Sequence, residues 1–331
     1  MALEKMQRAE WPRIDVFGLT DRGRKRARNE DQVLVAKLEK SMVIEQTSLP
    51  VGARTKLLAG PEGRILLVAD GVGGHSGGAH ASALAADTVA EYVLNAMPWF
   101  FGVGPESSQE ELEEELKAAL ERSQEQVKRS AEQNPLRSQM ATTLTMACVL
   151  WPTAYVVHVG DSRCYLLRDG GIEQITTDHT MAEALREEGV LSKEAARRSK
   201  WSHVLYKSIG GETNGLSPDL YRVGLTPGDR LVLCTDGLSK HVLDEEVAEL
   251  VETASGSEAA CRELIATANE RGGTDNVTVI VADFIPLTGE GVANGGGHPK
   301  SLVAERTPRR APPEPPEAPD EKDEKVEEST E

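Results

Sequence analysis

The 331-residue sequence predicts an α+β fold, two mainly antiparallel β-sheets stacked face to face with helices over their outer surfaces. Three observations predict it. Short apolar runs ending in turns recur along the chain, several are separated by hairpin-length turns, and helical periodicity is confined to blocks between them.

In chain order the first strands are Val33 to Leu38 and Ile65 to Ala69, with Leu38 to Arg64 lengthening the hairpin between them. Leu84, Thr88 and Tyr92 then recur at i+4 steps beside Val89, Val93 and Met97, which predicts a helix. A second follows on Leu112, Leu116, Leu120 and Val127. Glu110, Glu111, Glu113, Glu114 and Glu115 crowd its first turns and Lys128 and Arg129 stand near its end, as a helix dipole favours. The two should form an antiparallel pair. Strands resume at Thr143 to Leu150, Ala154 to Val159 and Cys164 to Arg168. Met181, Leu185 and Gly189 read as a short helix and its stop. Leu231 to Cys234 and Val277 to Phe284 are the last strands.

Composition bounds the function. The chain is 39% apolar, 27% charged and 4% aromatic, as soluble globular domains are. A net charge of −17 argues against nucleic acid as the main partner, because neutralising phosphates needs an excess of Lys and Arg. With no apolar run of membrane-spanning length and no signal-peptide stretch after Met1, no membrane partner and a cytoplasmic location are expected. Cys148, Cys164, Cys234 and Cys261 are too scattered for a zinc site or disulfide framework and read as buried, reduced thiols. About half of the seventeen prolines stand from Pro286 onward, among Gly and acids. The expected organisation is an N-terminal extension over 1–10, one domain over 11–285, and a disordered Pro/Glu-rich tail over 286–331.

Four aspartates stand where an apolar strand meets a Gly or Asn turn: Asp70, Asp161, Asp236 and Asp275. The acidic pair Glu30-Asp31 joins them. Each alone suits an ordinary turn, since Asp and Gly are turn formers. Gathered together, carboxylates repel and need cations. Oxygen donors without paired His or Cys point to Mg²⁺ or Mn²⁺.

The ordered series Arg26-x-x-Asn29-Glu30-Asp31, Asp70-Gly71-x-Gly73-Gly74-His75, Thr142-Thr143, Gly160-Asp161-Ser162-Arg163, Asp178-His179-Thr180, Asp236-Gly237 and Gly273-x-Asp275-Asn276 resembles the protein phosphatase 2C family, bacterial branch. The resemblance spans residues 15 to 284. It implies a four-layer α-β-β-α sandwich, its sheets flanked by antiparallel helix pairs. It also implies a metal-dependent serine/threonine phosphatase with two Mn²⁺ or Mg²⁺ ions, and a third, weaker one in bacterial members. Carried over by position, Asp70 would bridge the two metals with Gly71 lending a carbonyl. Asp236 and Asp275 would hold one metal, Glu30 and Asp31 the other or its waters, and Asp161 the third. Arg26 would bind the substrate phosphate through two parallel donors, with Asp31 and Asp70 its catalytic companions. His75 and Asn276 would support the ligands.

The implied reaction is attack on phosphorus by a metal-bridging water, without a phosphoenzyme. Accordingly, no cysteine has an arginine six positions later, so the thiol-phosphatase loop is absent. Val72 stands where eukaryotic members carry a histidine, Ala79-His80 where Glu is common, and Ala141 where Gly is common. Residues 181–220 correspond to the family's flap. There Arg197, Arg198, Lys200, Trp201 and His203 read equally as a cradle for an acidic phosphopeptide or as a solvated helix with Trp201 packed beneath.

The implied substrates are phosphoserine and phosphothreonine proteins, including Ser/Thr kinases, acted on by a monomer. The alternatives are an inactive phosphoprotein-binding module of the same fold and a metal-dependent hydrolase of small phosphate esters.

Overall fold

The computed structural model describes residues 12–44, 46, 56–73, 77–95, 108–134, 137–211, 216–286 and 305–306. The first half holds β1 (Arg13–Asp21), β2 (Gln32–Val43), β3 (Lys56–Ala69), β4 (Gly71–Val72), α1 (Gly77–Asn95), α2 (Ser108–Gln133), β5 (Ala141–Thr142), β6 (Leu144–Leu150) and β7 (Thr153–Val159). The second holds β8 (Arg163–Arg168), β9 (Gly171–Gln174), α3 (Met181–Glu187), α4 (Lys193–Arg198), β10 (Asp219–Gly224), β11 (Arg230–Cys234), α5 (Asp236–Ser239), α6 (Asp244–Thr253), α7 (Ser257–Glu270), β12 (Val277–Ile285) and β13 (Glu305–Arg306).

One sheet runs β1-β12-β11-β8-β9 and the other β13-β10-β7-β6-β3-β2, with every pairing antiparallel. Strand alternation divides the apolar residues among three cores. Ile65 and Leu67 of β3 face one way, onto Ala85, Val89, Leu116 and Leu120 of α1 and α2. Leu66 and Val68 face the other, onto Leu231, Leu233 and Ile280 of the opposite sheet. Across β11, Val232 and Cys234 turn outward again, onto Val247, Val251, Leu264 and Ala268 of α6 and α7. Strands buried on both faces read as continuous apolar runs. The result is four layers, α-β-β-α.

The helices α1 and α2 are antiparallel. Ser123 donates to the Ala85 carbonyl and the Tyr92 hydroxyl to Glu115, so positions rise along one helix as they fall along the other. α2 runs on past Lys128 and Arg129 to Gln133, and its last turn carries no base. The helices α6 and α7, which the resemblance implied and the periodicity did not show, cover the other sheet. All four cysteines are buried and free. In the tail, Glu305–Arg306 pairs with Tyr221 and Arg222 of β10. Among the described residues, no helix is long and apolar enough to cross a membrane.

Candidate functional site

Antiparallel register brings the predicted acids to one rim. Gln32 pairs with Ala69, Val68 with Thr145, and Leu144 with Val159, so Asp31, Asp70 and Asp161 leave their sheet at the same end. Cys234 pairs with both Arg163 and Val279, which sets Asp236 and Asp275 at the matching end of the other sheet. A cleft of about 630 Å³ opens there, lined by Arg26, Glu30, Asp70, Asp161, Asp236, Lys240 and Asp275, among others.

Asp31 is 4% exposed and ties the two sheets together. Its Oδ2 accepts hydroxyl bonds from Thr235 at 2.8 Å and Thr278 at 2.7 Å. Because the Thr278 proton is committed there, Thr20 donates to Thr278, and the Asn29 amide in turn donates to Thr20. This network leaves Oδ1 buried and with no hydrogen-bond partner among the described residues. Burial pushes the Asp31 pKa up to about 7, against the two hydroxyl bonds and with the help of Asp236 and Asp275.

Asp70 is held by its backbone. Its N–H donates to the Thr143 hydroxyl at 3.0 Å, and its carbonyl accepts the Thr143 N–H and the Thr142 hydroxyl. Thr143 also bonds Ser162 at 2.8 Å, joining the Asp70 turn to the one carrying Asp161. Gly160 of that turn donates its N–H to Nδ1 of the buried His179, and its φ is +112°. A Cβ at Gly71 would collide with the carbonyls of Gly78 and Glu30, so only glycine lets three backbone segments meet. Burial, then the charges of Asp31, Asp236, Asp161 and Asp275, raises the Asp70 pKa well above the carboxylate range. Asp161 is raised for the same reasons, first burial and then Asp236.

On the far wall Lys240 bridges Asp236 and Asp275. Arg26 grips Asp275 with two bonds, Nε to Oδ1 at 2.7 Å and Nη2 to Oδ2 at 2.8 Å. Burial alone would raise Asp275, yet Lys240 and Arg26 together hold its pKa below the usual value. Asp236 keeps Oδ1 buried and unpartnered among the described residues. Glu30 is half-buried, its pKa raised chiefly by burial, and its N–H donates to Asn276. Asn276 thereby has a definite role, since its amide also clamps the carbonyls of Arg22 and Arg28.

Arg26, Glu30, Asp70, Gly71, Asp161, Asp236 and Asp275 thus meet in one cleft, with Asp31 buried in the adjoining network. His75 lies outside the described residues. Lys240 and the threonines 20, 235 and 278 were not legible as site residues. No sequence pattern marks them beyond their places beside Asp21, Asp236 and Val277. Val72 is exposed at the cleft and offers no proton. The flap strip reaches the site through His203, which lines both the cleft and a neighbouring cavity of about 560 Å³.

Among the described residues, no three His, Cys, Asp or Glu side chains stand ready to close on a metal ion. Lys240 and Arg26 engage two of the acids. The orphaned oxygens of Asp31 and Asp236, within a cluster of mutually repelling carboxylates, nevertheless form a donor set suited to hard cations.

Comparison with known proteins agrees with this geometry. The family profile described as Protein phosphatase 2C matches residues 54–278. The serine/threonine protein phosphatase PstP of Mycobacterium tuberculosis is 34% identical over 266 residues, covering 80% of this chain and 44% of that protein. The chain therefore spans under half the length of that relative. The serine/threonine phosphatase stp of Listeria welshimeri is 30% identical over 219 residues, covering 66% of this chain and 84% of that one. The catalytic domain of PstP, solved in complex with two manganese ions, superposes with a TM-score of 0.63 at 33% identity, covering 82% of this chain and 98% of that one.

Proposed function

The chain belongs to the protein phosphatase 2C family, and from that premise we propose that it hydrolyses phosphoserine and phosphothreonine on proteins, opposing Ser/Thr kinases. The observation that carries this is the meeting of Asp31, Asp70, Asp161, Asp236 and Asp275 around one cleft, with two carboxylate oxygens unpartnered among the described residues. A catalytically silent binding module would have no need to keep five repelling acids together.

In this reading Asp70 would serve both divalent cations and the Gly71 carbonyl one of them. Asp236 and Asp275 would hold one, Glu30 and Asp31 the other or its waters, and Asp161 a third, weaker one. The two manganese ions of the similar PstP structure support a pair. Such cations, when bound, neutralise phosphoryl oxygens and acidify water near neutral pH. The chain's own residues do the rest. Arg26, half-exposed at the cleft mouth, orients the phosphate through a planar fork. The threonine network fixes Asp31, and the Thr143 clasp fixes Asp70, so the acids keep their positions as charge shifts. Lys240 holds Asp236 and Asp275 side by side and offsets their mutual repulsion. We further assign 11–285 as the catalytic domain.

The test compares phosphate release from a phosphothreonine peptide, a phosphotyrosine peptide and a nucleotide, with Mn²⁺ or Mg²⁺ supplied. Fastest release from the phosphothreonine peptide is expected. Preference for the nucleotide would favour a hydrolase of small phosphate esters instead.

A further inference from the structure

Five cations fall within seven residues at Arg22, Arg24, Lys25, Arg26 and Arg28, although the chain carries 54 acids against 37 Lys and Arg. All five are exposed. The loop bearing them is nevertheless pinned. The N–H groups of Arg24 and Lys25 donate to the Gly273 carbonyl at 2.8 and 3.1 Å, and Asn276 clamps the loop at Arg22 and Arg28. It is therefore fixed to the turn that carries Asp275.

Only Arg26 of the five lines the cleft, and only Arg26 pairs with a carboxylate among the described residues. Arg22 turns back to the Ala27 carbonyl. Arg24, Lys25 and Arg28 are exposed and do not line the cleft, although Arg28 stands near enough to Glu30 to act on its charge. Like charges held together in a fixed loop repel one another, and with only Arg26 ion-paired among the described residues the loop suits an external anion. His203 also lines the cleft, and in the neighbouring cavity that shares it Arg186 and Lys193 are paired with Glu183 and Asp244, so the 22–28 loop is where the exposed bases concentrate.

We infer that the 22–28 loop is a specificity element that recognises acidic residues flanking the phosphorylated Ser or Thr of a protein substrate, through Arg24, Lys25 and Arg28. The inference rests on the phosphatase reading and names its substrate class. The patch attracts a carboxylate-rich peptide locally, against the net acidity of the molecule.

The experiment uses the full chain and two fluorescent phosphothreonine peptides, one flanked by Glu and Asp, the other by Ala and Gln. Anisotropy gives Kd, and phosphate release with Mn²⁺ gives kcat/KM. The acidic peptide should bind roughly tenfold or more tightly at low salt, and the advantage should collapse by about 0.5 M NaCl. In the variant combining Arg24→Gln, Lys25→Gln and Arg28→Gln, the ratio between the peptides should fall to near one. Arg24→Lys with Arg28→Lys, which keeps the charge, should retain most of it.

Equal affinity of the wild-type chain for both peptides, or an advantage that survives the triple Gln variant, overturns the inference. So does tighter binding of a single-stranded RNA oligomer than of the acidic peptide. Release from both peptides at equal rates would remove the specificity element and leave the phosphatase standing. Selective binding without release would do the reverse.

Discussion

Asp70 and Thr143, 73 positions apart, clasp each other through two bonds: the Asp70 N–H donates to the Thr143 hydroxyl at 3.0 Å, and the Thr143 N–H donates to the Asp70 carbonyl at 2.9 Å. The same hydroxyl meets Ser162, so one small side chain couples the turns bearing Asp70 and Asp161. The backbone of Asp70 is thereby engaged at both its N–H and its carbonyl, and the residue lines the cleft.

Thr143→Val removes the hydroxyl with little change of shape. The Asp70 N–H and the Ser162 hydroxyl then lose a buried partner, which costs about 1 to 3 kcal/mol. Thermal unfolding should fall accordingly, and phosphate release should fall with it. Thr143→Ser, which keeps the hydroxyl, should recover most of both. Wild-type melting and turnover in the Val variant would show that the clasp is incidental.

Hydrolysis should require added Mn²⁺ or Mg²⁺ and should vanish in Asp70→Ala and in Asp236→Ala. Each change removes a carboxylate from the cluster around the cleft. Assay of metal-stripped protein with and without each ion checks this. Full activity after stripping, or in either variant, would refute a metal-dependent site.

Much of this arrangement was legible beforehand. The Asp-Gly steps at Asp70-Gly71 and Asp236-Gly237 stand out because backbone crowding admits no Cβ at either glycine. The central strands β3, β6, β7, β8, β11 and β12 were also readable, because burial on both faces makes them unbroken apolar runs, whereas β9 and β10 carry no such run and were not predicted. The helix α7 was not readable, since its buried face carries Ser257, Ala260, Cys261, Ala268 and Asn269 and only two large apolar residues, Leu264 and Ile265. Strand β1 is half-exposed along most of its length and lacks a clean alternation. Lys240 escaped notice because its meaning depends on Asp275, 35 positions away, which only the fold brings near.

The acid cluster should make the metal-free protein sensitive to alkali. The Asp31 pKa stands at about 7, above its unfolded value, so the folded chain keeps a proton that the unfolded chain has released. That contribution is fully present at low pH and is lost as pH rises through about 7. Asp70 and Asp161 act in the same direction. His158 acts oppositely but lower down, since burial holds its pKa well below the ordinary histidine value. Between pH 6.5 and 8, then, the melting temperature of the metal-free chain should fall. Asp31→Asn should shrink that fall, as should saturating Mn²⁺, which favours the ionised acids. An undiminished fall in the Asn variant would assign the effect elsewhere.

Arg26 distinguishes a phosphate-gripping site from one that merely holds cations. Its guanidinium lies against Asp275 with two bonds while remaining 52% exposed, so it can turn to a phosphate at the cleft mouth. If it does so, Arg26→Ala should lower kcat/KM for p-nitrophenyl phosphate roughly tenfold or more, because a charge-assisted bond contributes about 1.5 to 3 kcal/mol. This small ester has no flanking residues, so the rest of the basic loop does not enter. Arg26→Lys should restore only part of the loss, as a point charge cannot reproduce two parallel donors. The deficit should persist at saturating Mn²⁺ and at high salt. If it disappears at saturating metal, Arg26 serves only to hold Asp275, and if it disappears at high salt, Arg26 acts only through its diffuse field.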